Sequence, residues 1–192
     1  MPLPLILLGT ALSSVALYSE QKSHLRKQDR QRFRPNNHDM GREPSELLPS
    51  KHLVRVMPGS VVCCEVYQAF QHTGIVVDDD TIIELHGSGL IRAVSFKRFL
   101  HGRSGKNIFI ACDRRAQPIV VNQAIGAAVN DIFTFHRYDL FTANCYRHTW
   151  RWLTGLDREI SSFEQFNRLL SAQAKQPIYW DRAHLPSRLN HL

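Results

Sequence analysis

The sequence predicts an α+β domain, and three observations carry that prediction: short β-branched runs in the first half, a well-capped helix near residue 145, and helical patterning after it. The strand runs are Val61–Tyr67, Gly74–Val77, Thr81–Leu85 and Ile108–Cys112. Asp78-Asp79-Asp80 separates two of them and predicts a hairpin turn. A three-carboxylate loop also suggests a cation site, but adjacent carboxylates at a turn are ordinarily solvated and no EF-hand spacing surrounds these. No metal and no cofactor are therefore expected. Helices are predicted over Ser95–Leu100 and Val120–Ile132. The stretch Tyr138–Trp150 leads into a third, starting at Cys145. Thr142 and Asn144 are good N-cap types, Thr149, Trp152 and Leu153 fall on one side, and Gly155 is placed to end it. The tail offers a further helix with Phe163, Phe166, Leu169 and Leu170 on its apolar side. It closes on Ile178–Trp180, an aromatic end suited to core packing or to lining a lipid groove.

With 192 residues the chain has room for one domain and appendages. Three segments are expected: an apolar segment at 1–19, a basic, Pro-containing linker at 20–52 and a folded domain at 53–192. Pro2–Tyr18 carries no charged side chain, a length at the lower limit for spanning a bilayer. Lys22, Arg26, Lys27, Arg30, Arg32 and Arg34 follow it directly. A signal peptide wants its positive charge before the apolar core, so this order favours an uncleaved anchor with the remainder in the cytoplasm, secreted or periplasmic placement being the alternative. The formal net charge of +7 is thereby assigned to an acidic membrane surface met by residues 1–34. Nucleic acid is not expected, because no reading motif accompanies the charge. The oligomeric state is left open.

Four cysteines are present, Cys63, Cys64, Cys112 and Cys145. None lies in a CxxC pair or a zinc-like Cys/His cluster. Cys63 and Cys64 are neighbours in a strand, so their side chains point to opposite faces and serve packing. Cys145 differs. A thiol in the first turn of a helix feels the positive end of the macrodipole, which favours the reactive thiolate. Covalent acyl chemistry further needs a base and a group to fix its tautomer. His72 opens the strand HTGIVV. A three-residue turn centred on Asp79 sets His86 opposite His72 and Glu84 diagonal to it, so one hairpin face offers a base with either Glu84 or His86 to orient it.

The blocks MPGSVV, HTGIVVDDDTIIELHGSG, VSFKRFLHG and YDLFTANCYRHTWRWLTG resemble those of the lecithin–retinol acyltransferase-like family, a branch of the NlpC/P60 thiol hydrolases. The resemblance runs from about Val56 to Gly155, and its most specific block is the one containing Asn144-Cys145. It implies a permuted papain-like fold, with an antiparallel sheet packed on the helix that carries the nucleophile. It implies Cys145 as nucleophile and His72 as general base. A gapless match brings Glu84 to the third position, where many members have histidine; His86 matches only with a longer hairpin. Many members follow the cysteine with Glu-His-Phe, whereas this chain has Tyr146, Arg147 and His148. The implied activity is acyl transfer or hydrolysis on an acyl lipid or acyl-amide through an S-acyl intermediate. The rival expectations are an amidase or peptidase acting on cell-wall or peptide bonds, as in other NlpC/P60 branches, and a membrane-tethered binding module without catalysis.

Overall fold

Short runs of apolar residues, buried on both faces, build the centre of the sheet. In a computed structural model that describes residues 44–47, 49–67 and 70–185, the strands are β1 (Leu53–Arg55), β2 (Val61–Val66), β3 (Phe70–Asp78), β4 (Thr81–Leu85), β5 (Ile91–Val94), β6 (Phe109–Cys112) and β7 (Tyr179–His184). The helices are α1 (Phe96–Leu100), α2 (Asn122–Asn130), α3 (Cys145–Thr154) and α4 (Phe163–Ala174). All described residues fall in the unit His38–Leu192. The apolar segment 1–19 and the linker as far as residue 43 lie outside the described residues. Among the described residues no helix is long and apolar enough to cross a membrane.

The seven strands form one sheet in the order β1-β7-β6-β2-β3-β4-β5. The expectation of an antiparallel sheet needs one correction, since β1 runs parallel to β7 while every other neighbouring pair is antiparallel. The parallel pair joins strands from opposite ends of the domain, where no hairpin constrains direction. The aromatic end Ile178–Trp180 enters β7 and the core: Ile178 is fully buried and Trp180 nearly so. The last residues of the expected linker also dock onto the domain. Glu46 accepts hydrogen bonds from Lys106 N, Asn107 N and Asn107 Nδ2, and Ser50 Oγ donates to Asp181.

One apolar cluster covers each face of the sheet. Val61, Cys63, Ile75, Ile83 and Phe109 pack with the buried residues of α2, α3 and α4. Val62, Cys64, Val76, Ile82 and Ile110 pack with Phe96 and Phe99 of α1. Cys63 and Cys64 therefore point to opposite faces, as period-two alternation requires.

The central hairpin keeps the expected register. Ile75 pairs with Ile83 and Val76 with Ile82, before a bulge shifts Asp78 onto Thr81. The bulge shortens the turn to Asp79-Asp80. Two of the three carboxylates there serve the backbone. Asp78 Oδ1 accepts from Asp79 N, and Asp80 Oδ1 accepts from Phe96 N at the start of α1. Gly74 in β3 is there for space, because a Cβ would stand 2.6 Å from Ile82 Cγ2 and 2.8 Å from the Ile83 carbonyl oxygen.

Candidate active site

Helix α3 begins where its caps dictate. Asn144 has extended backbone and its Oδ1 accepts from Arg147 N at 3.1 Å, while Gly155 ends the helix with a left-handed φ of 75°. Thr142, the other cap candidate, instead bonds Asp139. The Asn144 amide donates to Leu140 O and Ile160 O, which ties the preceding loop to the helix start. Cys145 is thereby the first helical residue. It lies in the turn whose N–H groups have no intrahelical acceptor. Tyr146 Oη donates to Gln71 O at 2.6 Å, and the Thr73 and Thr149 hydroxyls meet at 3.0 Å. These two bonds fasten the head of α3 to β3 beside His72.

His72, Glu84 and Cys145 come together. His72 Nε2 stands 2.8 Å from Glu84 Oε2. An ionised carboxylate only accepts, so Nε2 carries the proton and Nδ1 keeps a lone pair for the thiol. The Cys145 thiol is bonded to His72 and receives the backbone N–H and hydroxyl of Thr73. All three residues are nearly closed to solvent, at 7 % for His72, 0 % for Glu84 and 4 % for Cys145. His86, the other candidate, is engaged elsewhere: its Nδ1 meets Ser88 Oγ at 2.8 Å. The hairpin register, carried beyond its last pair, does set His86 across from His72. But β4 ends at Leu85, and the chain turns away, with Gly89 N donating to His86 O.

Two arginines complete the arrangement, and sequence reasoning missed both. Glu84 Oε1 accepts from Arg92 Nε at 2.9 Å and pairs with its Nη2 at 2.8 Å; Oε2 accepts from Arg103 Nη2 at 2.6 Å. Arg103 also donates to Phe99 O and lies over the Phe99 ring, 4.8 Å from its centroid. Arg92 stands opposite Glu84 in the β4–β5 ladder. A cross-strand charge pair of this kind was findable had β5 been recognised.

Burial alone would raise the Glu84 carboxyl, but the hydrogen bond and charge of His72, with Arg103, hold it well below the usual carboxylate range. Burial works against a charged His72, yet Cys145 and Glu84 outweigh it and the imidazole is raised. Cys145 is moved the other way: burial opposes the thiolate, and His72 followed by Thr73 lowers the thiol below its ordinary range. The other cysteines contrast with it. Burial pushes Cys64 up to about 12 and Cys63 well above the ordinary thiol range.

The thiol opens onto a cavity of about 420 Å³. Val66, Tyr67, Phe70 and Leu140 supply apolar wall, and His86, Arg92, His101 and Arg103 supply polar wall. Tyr67 and Phe70 are exposed. Among the described residues no group of three or more His, Cys, Asp or Glu is disposed to hold a metal. The arrangement suits covalent acyl chemistry, which needs a thiol, an imidazole to share its proton and a group to orient that imidazole. No protein-family model matches the chain, and no curated protein matches it.

Proposed function

We propose that the chain is a cysteine-dependent acyltransferase or hydrolase of the lecithin–retinol acyltransferase-like kind, with the permuted papain-like arrangement that family uses. The observation that carries the reading is the buried Cys145–His72–Glu84 set beside an apolar-walled cavity. His72 Nδ1 takes the Cys145 proton, and the thiolate adds to the carbonyl carbon of an acyl ester or amide. The N–H groups at the head of α3 hold the oxyanion. When the carbonyl re-forms, the bond to the alcohol or amine breaks and His72 returns the proton to that leaving group. Water or an amine then attacks the thioester, gives its proton to His72 and releases Cys145 as the thiol. Glu84 keeps His72 in the productive tautomer throughout and stabilises the imidazolium.

The apolar wall supports an acyl chain as the bound part of the substrate, and the basic N-terminal segment supports a membrane as its source. The test is acyl release from phospholipid vesicles by the full chain. Cys145→Ala abolishes release in this account; an unchanged rate overturns it.

A further inference from the structure

A second cavity, of about 200 Å³, shares the 136–148 segment with the thiol's pocket but turns to different side chains. Its wall comes from His136, Arg137, Arg147, His148, Arg151 and Asp157, three formal positive charges against one negative before either imidazole is counted. Two of the arginines are held at one edge by carboxylates. Arg147 gives Nε and Nη2 to Asp157 and Nη1 to Thr142 O, and Arg151 gives Nη2 to Asp131, which also accepts from Trp152 Nε1. A guanidinium has five N–H donors, so both arginines keep donors beyond these bonds. Arg137 is exposed at the same cavity.

His148 is 5 % exposed, and its Nδ1 is buried with no hydrogen-bond partner among the described residues. Its ring meets His136 edge-on at 4.5 Å. The groups that bear on His148 are His136, Arg151, Asp131 and Arg147; burial first, and then the neighbouring His136 and Arg151, bring it down to about 4. It is therefore neutral at pH 7 in a setting short of negative charge.

We infer that this cavity is a binding site for a phosphate-class oxyanion, held by the free donors of Arg137, Arg147 and Arg151. Guanidinium groups match tetrahedral oxyanions in geometry and charge, and anchoring by Asp157 and Asp131 fixes two of the three before the anion arrives. The cavity lies close to the head of α3: Arg147 Nη1 donates to Thr142 O, and its main-chain N–H donates to the Asn144 cap beside Cys145. The inference does not depend on the acyl chemistry of Cys145.

The test follows the His148 imidazole resonances of the full chain in a non-ionic detergent, with ionic strength fixed by chloride. Inorganic phosphate is added in one arm and short-chain phosphatidic acid in the other. The expected result is a saturable shift, with affinity weakened at least fivefold in Arg137→Ala, a change at an exposed position that leaves the fold intact. A shift in both arms identifies a free anion as a sufficient ligand, and a shift with phosphatidic acid alone identifies a lipid headgroup; either supports the site. No saturable shift in either arm, or equal affinity in Arg137→Ala, overturns it.

Discussion

At the scale of single residues, the proposed reactivity of Cys145 rests on neighbours that favour its thiolate. The lowered thiol and the raised imidazole both ease proton transfer from Cys145 to His72, so that thiolate forms at a lower pH than in a free cysteine. Alkylation by iodoacetamide at pH 7 therefore falls on Cys145 first, while Cys64, pushed up to about 12, stays unmodified. Thr73 contributes through a hydroxyl held against Thr149. Thr73→Val keeps the volume and removes the donor, so the alkylation profile moves to higher pH by about one unit, equivalent to ~1.4 kcal/mol of thiolate stabilisation. A profile that does not move means the Thr73 hydroxyl only packs. Cap chemistry placed Cys145 at a helix start and strand alternation put His72 on one hairpin face with Glu84 and His86, both being local rules; only the family resemblance singled out Glu84 from His86. Arg92 and Arg103 were not legible in the sequence. Their role exists only once β5 pairs with β4 and the loop after α1 returns to Glu84.

At the scale of elements, the β3–β4 hairpin positions His72 and Glu84, and its register depends on a close approach at Gly74. An added methyl meets Ile82 Cγ2 and the Ile83 carbonyl, neither of which is the free end of a flexible chain. Gly74→Ala is expected to destabilise the protein by roughly 1–3 kcal/mol, as overpacking typically does, seen as a lower urea midpoint. An unchanged midpoint would mean the strands separate without cost. Turn residues and β-branched runs announced this hairpin, and the bulge altered only its tip. Three other strands escaped notice for different reasons. β1 has three residues and β5 four, too few to display a period. β7 carries the polar run Asp181-Arg182 after its aromatics, and its place beside β1 is a long-range pairing that no local pattern reports.

At the scale of the whole molecule, the site is also a stability element. Glu84 is fully buried and bonded to three cationic or ionisable groups, so removing its charge strands two arginines. Its folded carboxyl lies below the unfolded value of roughly 4.3. Its contribution is thus complete above that pH and is lost as pH falls toward the folded value. Urea midpoints should drop between pH 6 and pH 3, and the drop should shrink in Glu84→Gln, a variant that is itself less stable by about 3–5 kcal/mol at pH 7. An equal drop in both proteins would assign the acid sensitivity to other carboxylates. The α+β class was legible from the distribution of strand and helix signals. The mixed sheet and the docking of Glu46 and Ser50 on the domain depend on contacts between distant parts of the chain.

The central claim is that Cys145 forms an S-acyl enzyme, and intact-mass measurement on the full chain after brief exposure to phospholipid vesicles and an acyl-amide tests it most directly. The account predicts a mass increase of one acyl group, mapped to Cys145, removed by hydroxylamine and absent from Cys145→Ala. An acyl adduct retained in Cys145→Ala, or acyl release with no adduct on Cys145 even after rapid quenching, would contradict it.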